Sequence, residues 1–464
     1  MDAHLRTLRW ITGLVTLAGA LGFALWIWIR TDPSLLASPT SDAGKRLLRQ
    51  YQGTVSDVFF ALLITTVITL IIKIVKSKKY ESKTCQGIQY QRKKESLLLF
   101  AKEHPILLLV MAAYTTAMIA GTTHLYKDLI GWYPDLVEKD LLNNFSIRSS
   151  FISETMRRTD LRMFPLAHQD LHVLSWFTVH VKTWMLFTAA QLFAIAILSA
   201  RLIERINGTF SNKTPGLLQA IIVLLLFQPA TGNTFFHVIY CERTLALLLI
   251  VYSHCLLEHQ QTKSRSSLLK AFLVALLGIF TKDIAIILFL VPPTLELVAS
   301  TFRNTQRSFR EWAISNTIYF YILALIPIFC TSFIFIALIP SSYANAGIYS
   351  DPTSLTILAD SRFYIFVALT GIRLFRSRRQ GGKPDLLDGL NIAAFFYIIA
   401  LGFFAKFDSS DYLTFPVQVI IVANIGWVWT LAIKTTCMSG LRRQQIIALA
   451  LGISSLTVLV EQVT

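Results

Sequence analysis

The chain has 464 residues, of which 54% are hydrophobic and only 15% are charged. Soluble globular proteins carry about 25% charged residues, so this composition excludes an ordinary soluble protein and favours a single membrane domain over residues 1–464. The net charge of +16 is spread over many short loops, which argues against a nucleic-acid partner. The five cysteines show neither a CxxC pair nor the spacing of metal ligands.

Thirteen apolar segments predict an all-α, polytopic transmembrane helical bundle. A helix needs about 20 apolar residues to cross a bilayer, and lipid offers no partner for the backbone of any looser structure. The first segment follows Arg6 and Arg9 and is longer than a cleavable signal, so we interpret it as an uncleaved span. The predicted spans are 9–29, 57–75, 105–123, 183–200, 216–230, 243–258, 268–281, 283–299, 314–339, 363–375, 388–405, 415–433 and 444–462. Those at 216–230, 268–281 and 363–375 are short, which predicts tilted, broken or buried helices.

Basic residues predict the orientation of the chain. With the N-terminus in the cytoplasm, the loop 76–104 lies inside and is rich in lysine and arginine, as cytoplasmic loops are. The later inner loops are basic as well, through Arg201/Arg205, Lys263/Arg265, Arg303/Arg307/Arg310, Arg376/Arg378/Arg379 and Arg442/Arg443. Acidic residues favour the opposite side, so we expect polar chemistry on the outer face. The expected location is a bacterial inner membrane with an outward-facing active site.

The long outer loop 124–182 holds the densest polar cluster. Apolar spacing predicts amphipathic helices at 151–163 and 166–177, which would lie against the lipid headgroups. In the first helix Glu154, Arg158 and Arg162 would share one face and could bind a phosphate. Asp160 and Asp170 are candidate acids or bases. The alternative is a network of surface ion pairs without a chemical role.

Two histidines of this loop have the spacing of metal ligands on a helix. His168 and His172 stand four residues apart, but no third ligand follows at a suitable distance. We therefore predict no metal site and expect a hydrogen-bonding or interfacial role, while a divalent metal cofactor is left open.

Three further groups of charged residues adjoin predicted spans. Asp128 follows the third span and could accept a proton from an acceptor hydroxyl at the membrane surface, or it is an ordinary interfacial carboxylate. Glu242 and Arg243 open the sixth span, where a glutamate also suits the helix dipole. Lys282 and Asp283 lie between two apolar runs, and charges at such places usually face a cavity or each other.

The chain lacks a Walker A motif, a DxD triplet, a GxSxG elbow and an HExxH motif. An outward-facing enzyme without a nucleotide site needs an activated substrate delivered in the membrane.

Over residues 105–365 the order of parts resembles the GT-C superfamily of membrane glycosyltransferases. A span is followed by a long outer loop with an acidic residue near its start, here Asp128, and by an RMFPL segment at 162–166. A later span opens with YCER at 240–243, and two further spans are joined by TKD at 281–283. Two spans at 1–104 precede this core and the C-terminal spans at 366–464 follow it.

The resemblance implies transfer of a sugar from a polyprenyl-phosphate carrier to a hydroxyl of a glycan, lipid or protein acceptor. Asp128, Asp160 and Asp170 are then the catalytic candidates. The substrate-binding candidates are Glu154, Arg158, Arg162, His168, Glu242, Arg243, Lys282 and Asp283.

Two alternatives remain open at this stage. An O-antigen ligase or polymerase also uses lipid-linked sugars, but its largest outer loop commonly lies in the C-terminal half of the chain. A transporter or flippase of lipid-linked sugars would place charges in the middle of spans, whereas the spans here are almost free of charge.

Overall fold

The structure is a computed structural model that describes residues 2–32, 34, 36–84, 103–132, 155–178, 180–208, 214–303, 308–345, 361–379, 384–403, 411–434 and 442–463. These residues form α-helices and short turns, with no strand among them. In chain order the helices are α1 (Asp2–Thr31), α2 (Asp42–Thr84), α3 (Pro105–Trp132), α4 (Gln169–Ser175), α5 (Val181–Ile206), α6 (Leu217–Leu226), α7 (Pro229–Phe236), α8 (Glu242–Thr262), α9 (Arg265–Ile279), α10 (Ile286–Arg303), α11 (Phe309–Ser315), α12 (Thr317–Leu323), α13 (Leu325–Phe333), α14 (Ile339–Tyr343), α15 (Ser361–Arg379), α16 (Leu386–Phe403), α17 (Phe415–Lys434) and α18 (Arg443–Val463).

All thirteen predicted apolar segments coincide with helices of the structure. Among the described residues, six helical stretches are long and apolar enough to cross a membrane, namely Arg9–Thr31, Asp42–Ser77, Val181–Ile206, Asp283–Phe302, Thr317–Tyr343 and Tyr412–Ile433. Shorter apolar helices lie at Pro105–Gly121, Leu386–Gly402 and Arg443–Leu459. The all-α membrane class is therefore confirmed among the described residues, and the number of thirteen spans stays a prediction.

The predicted span 216–230 is a broken helix. α6 and α7 meet at Phe227 and Gln228 with a bend of 69°. Pro229 explains the break, because proline has no N–H to continue the helix and forces the residue before it into an extended conformation. Gln228 is indeed extended, with φ −80° and ψ 136°.

Helix α8 lies at the centre of the bundle. It packs against α5, α9 and α17, and its side chains Leu245, Leu249 and Tyr252 are buried. α10 packs against α9 at a point where Gly278 is needed, since a Cβ there would overlap the ring of Phe289. Such close packing holds the start of α8 and the turn between α9 and α10 in fixed positions.

Helices α1 and α2 lie at the periphery and expose apolar side chains. Trp10, Leu14 and Leu21 of α1 are exposed, as are Leu62 and Val75 of α2. A soluble protein rarely exposes an apolar surface of this size, whereas lipid covers it at no cost.

The outer loop departs from its predicted structure. Among the described residues of the stretch 151–163, which begin at residue 155, only Thr155 and Met156 are helical. The predicted amphipathic helix is therefore wrong over 157–163, and Arg158 and Arg162 do not share a helix face. Long-range contacts hold this stretch in an irregular path, since Leu161 donates its N–H to Ser341 Oγ (2.9 Å) and has a positive φ of 60°.

The second predicted helix of the loop is present as the shorter α4. Its buried face carries Leu171, while Val173, Trp176 and Phe177 expose large apolar side chains at its other side and its end. These exposed side chains fit the predicted contact with lipid headgroups.

Candidate functional site

Four ion pairs lie at one end of α8, and three of them join distant segments of the chain. The segments are the loop 158–170, the beginning of α8 and the turn between α9 and α10. The pairs are Arg158–Asp160, Arg162–Asp283, Arg243–Asp170 and Lys282–Glu242. We name these eight residues the charge cluster. Neighbouring ion pairs are also connected through the chain, because residues 160 and 162, 242 and 243, and 282 and 283 belong to different pairs but lie next to each other in sequence.

The pair of Lys282 and Glu242 is the most deeply buried. The two side chains are only 6% and 2% exposed. Burial by itself would lower the pKa of Lys282, but the Glu242 carboxylate outweighs it, so the pKa of Lys282 lies above its usual value and the amine stays charged. From the sequence, Lys282 and Asp283 are expected to face a cavity or each other; in the structure each binds a residue from another segment.

Arg243 binds Asp170 and is saturated by further acceptors. Its Nη2 donates to Asp170 Oδ2, its Nε donates to Gln191 Oε1 (3.0 Å), and its Nη1 donates to the carbonyl oxygens of Val238 and Tyr240. Thr244 Oγ1 also donates to Asp170 Oδ2 (3.2 Å). The loop is thereby fixed to α5 and α8 through one guanidinium, whose planar shape suits several acceptors at once.

The two remaining pairs form the more accessible edge of the cluster. Arg158 Nε lies 3.0 Å from both carboxylate oxygens of Asp160, and these two side chains are 19% and 22% exposed. Arg162 binds Asp283 and lies with Arg158 against the ring of Phe164, with guanidinium carbons 5.5 and 4.9 Å from the ring centroid. Exposure therefore falls from Arg158 inward to Glu242.

The environment of Asp160 makes it a weak base. Burial would raise the pKa of Asp160, but the hydrogen bond and charge of Arg158, with the backbone N–H of Arg162, lower it below the usual range. A general base works best with a pKa near the working pH, so Asp160 suits the positioning of Arg158 better than proton abstraction.

His168 lies beside the charge cluster. Burial lowers its pKa to about 4, and its charged neighbours include Asp170, Arg243 and Glu242. His172 shares a hydrogen bond with Gln169 (3.1 Å) and meets Trp176 edge to face. No group of three or more His, Cys, Asp and Glu side chains that could hold a metal occurs within the described residues.

Two of the predicted site residues lie partly or wholly outside the described residues. The backbone of Asp128 belongs to α3, which runs past the predicted end of the third span to Trp132, but its side chain is not described. Glu154 is outside the described residues altogether. Every other predicted site residue lies in the charge cluster or beside it.

The sequence analysis missed three residues that surround the cluster. Gln191 stands in an otherwise apolar part of α5, and a polar residue inside a span is a signal that could have identified it. Thr244 directly follows Arg243. Tyr397 is fully buried in α16, close enough to Lys282 to interact with its charge. This proximity joins remote segments of the chain, so no local sequence pattern could have predicted it.

The cluster balances four cations with four carboxylates. An arriving phosphate could bind Arg158 or Arg162 by displacing the carboxylate that now holds it, because both anions accept the same bidentate hydrogen bonds. The deeper pairs, Lys282–Glu242 and Arg243–Asp170, fix the geometry around that edge.

Comparisons with protein-family models, with curated proteins and with solved structures found no match.

Proposed function

We propose that the protein is a membrane glycosyltransferase that moves a sugar from a polyprenyl-phosphate carrier to a hydroxyl acceptor on the outer, periplasmic or luminal, face. The observation that supports this proposal is the convergence of the charge cluster from three segments that the resemblance to the GT-C superfamily singles out. Ion pairs in a low-dielectric setting cost several kcal/mol of desolvation per ion, so charges kept there are usually functional.

In the proposed reaction the acceptor oxygen attacks the anomeric carbon as the bond from that carbon to the phosphate oxygen breaks. Asp128 takes the proton of the acceptor hydroxyl, and the lipid phosphate leaves with the electron pair of the broken bond. Arg158 and Arg162 stabilise the negative charge on the departing phosphate. Asp160 and Asp283 hold these two arginines, while the Lys282–Glu242 and Arg243–Asp170 pairs hold the turn and the loop that carry them.

The decisive experiment measures release of polyprenyl phosphate from a panel of synthetic polyprenyl-phosphate hexoses and pentoses by the full chain in vesicles. Asp128→Asn should retain folding and donor binding but lose about 10²–10⁴-fold in turnover, because an amide cannot accept the proton. Full activity of this variant would contradict the assignment of Asp128, and no turnover of any donor by the wild type would contradict the proposal.

Matched variants identify the base if it is another carboxylate. Asp170→Asn and Asp160→Asn test the other two candidates in the loop. Glu258→Gln is the control, since Glu258 pairs with Lys270 towards the far end of α8 (3.6 Å) and should not affect turnover.

The broken helix favours a transporter of lipid-linked sugars as a second candidate. Interrupted helices frame the substrate sites of many secondary transporters, and the Gln228 amide at this break donates to Gln418 (2.9 Å). A transporter would move a fluorescent lipid-linked sugar across vesicles without releasing polyprenyl phosphate, and Asp128→Asn would leave that movement unchanged.

A further inference from the structure

The guanidinium of Arg158 is held by contacts of two kinds. Along its edge, Nε lies 3.0 Å from both carboxylate oxygens of Asp160. Against its flat face lies the ring of Phe164, whose centroid is 4.9 Å from the guanidinium carbon. A phosphate competes with the carboxylate for the edge, because both accept the same paired hydrogen bonds. It does not compete with the ring for the face, so the contact with Phe164 is compatible with a bound phosphate.

The same ring also contacts the second arginine at the accessible edge of the charge cluster. The guanidinium carbon of Arg162 lies 5.5 Å from the centroid of the Phe164 ring. An aromatic ring attracts a cation through the negative charge density on its face, and the attraction grows as the cation loses water. One half-buried ring therefore supports both of the cations that the proposed reaction assigns to the phosphate.

The backbone that carries Arg158 is held from two other helices. Gln52 of α2 is buried and donates from Nε2 to the carbonyl oxygen of Arg158 (3.1 Å). Ser341 of α14 is buried as well, and its Oγ accepts the N–H of Leu161 (2.9 Å), which has a positive φ of 60°. These contacts join uncharged groups, so an exchange of anions at the guanidinium leaves them in place.

The position of Phe164 is fixed by the turn between α9 and α10. Leu166 donates its N–H to the carbonyl oxygen of Phe280 (3.0 Å), and the Phe280 ring meets Phe59 of α2 edge to face with centroids 5.0 Å apart. Helix α2 thus supports the loop through Gln52 and the turn through Phe59. It belongs to the N-terminal spans, which precede the part of the chain that resembles the GT-C superfamily.

Asp160 cannot define the position of Arg158 by itself. The two residues stand close together in one loop, so their ion pair is free to move as a unit. A phosphate on a lipid carrier arrives at one depth in the membrane, and binding costs least when the guanidinium already lies there. The contacts that define this position are those to the ring of Phe164 and to Gln52.

We propose that Phe164 and Gln52 are positioning residues, which keep Arg158 in place while a lipid-linked phosphate displaces its carboxylate partner. The inference rests on the proposed function, because it takes the donor phosphate as the ligand. The displaced carboxylate of Asp160 retains a donor, since its Oδ1 already lies 3.3 Å from the backbone nitrogen of Arg162. The exchange therefore requires no rearrangement of the backbone.

The experiment measures the affinity of the purified full chain in lipid nanodiscs for a polyprenyl monophosphate, without any sugar transfer. Phe164 is replaced by singly, doubly and triply fluorinated phenylalanine, which withdraw charge density from the ring face and nearly preserve its shape. We expect the affinity to fall stepwise, by about two- to fivefold with the triply fluorinated ring. Phe164→Tyr should bind as the wild type does, and the series should lose most of its effect in Arg158→Gln.

A matched pair of glutamines tests the contact from α2. Gln52→Met removes the donor at similar volume and should weaken binding by up to about tenfold. Gln50→Met, at an exposed site on the same helix, is the control and should bind as the wild type does. If Gln52→Met does not fold, the fluorinated series decides alone.

Equal affinity across the fluorinated series, or an equally large effect in Arg158→Gln, would overturn the role of Phe164, and wild-type affinity of Gln52→Met would overturn that of Gln52. A wild type that binds no polyprenyl phosphate would overturn this inference together with the proposed function. The expected losses of affinity without turnover of any donor sugar would support the inference and contradict the proposed function alone.

Discussion

His168 is an imidazole held neutral among charged side chains. It has a positive φ of 64° just before α4, next to the loop that carries Asp170. Burial lowers its pKa from 6.5 to about 4, so the folded protein resists its protonation. The unfolded chain takes up this proton more readily than the folded chain between these two pH values.

We predict that His168 makes the protein less stable as the pH falls from 6.5 to 4. Over that range the unfolded state binds more protons, so the free energy of unfolding decreases with falling pH and levels off below about pH 4. His168→Gln should flatten this part of the profile, as measured by thermal unfolding in detergent at a series of pH values. His180→Gln, at an exposed site outside the cluster, is the control, and a profile that His168→Gln leaves unchanged would refute the prediction.

Much of the site could be predicted at the scale of residues because charged residues beside apolar runs are unusual. Arg243, Lys282 and Asp283 stood out for that reason alone. Their partners could not be predicted, since Lys282 lies 40 residues from Glu242 and Arg162 lies 121 residues from Asp283 along the chain. Pairing over such separations depends on how helices pack, which local spacing does not encode.

At the scale of elements, the Glu242–Lys282 pair fastens the turn between α9 and α10 to the beginning of α8. Both side chains are buried, so loss of either one leaves an uncompensated charge in a low-dielectric setting. Loss of both removes that penalty. The two helices are also held by apolar packing, because α8 and α9 are in close contact along their lengths.

We predict that Glu242→Gln and Lys282→Met each destabilise the protein by about 3–5 kcal/mol, whereas the double variant is nearer to the wild type than either single variant. The measurement is a double-mutant cycle by reversible unfolding in mixed micelles. Activity would be lost in all three variants if the pair positions the site. Additive effects of the two substitutions would show that the pair does not couple these elements.

The positions of helices were predictable from sequence, but their interruptions were only partly so. The segment 314–339, predicted as one span, lies mostly within one apolar helical stretch at Thr317–Tyr343, which is interrupted between α12 and α13 and by a π-helical stretch at Ile334–Leu338. Over 157–163 the predicted helix is replaced by an irregular stretch, in which Gln52 donates to the carbonyl oxygen of Arg158 (3.1 Å). The spacing of apolar residues shows which face of a helix would be apolar. It does not show whether a distant side chain will bind a backbone carbonyl that the helix would otherwise use.

At the scale of the whole molecule, the segments predicted to lie outside the membrane and those predicted to lie inside gather in two different places in the structure. The predicted outer segments 158–170, 240–243 and 281–283 meet at the charge cluster. The predicted inner segments around Arg201 and Arg443 meet at a pocket that both arginines line. α5 contacts the charge cluster through Gln191 and lines this pocket with Arg201, about ten residues or about 15 Å further along the helix.

We predict that Phe177→Cys is labelled by an impermeant maleimide added outside intact cells and that Gln444→Cys is labelled only after the membrane is permeabilised. Both sites are exposed, which makes their accessibilities comparable. The background is a variant in which the five native cysteines are replaced by serine or alanine. The reverse pattern of labelling would invert the orientation and place the charge cluster in the cytoplasm.

The equal numbers of positive and negative side chains in the charge cluster also affect how a substrate finds it. A balanced set of charges produces a field that decays within a few ångströms, so it does not draw anions from the bulk solution as a net positive cleft would. A donor that diffuses within the bilayer has no need of such attraction, because the membrane already restricts its search to two dimensions. The cluster is thus suited to a ligand that arrives laterally, at a rate largely insensitive to ionic strength.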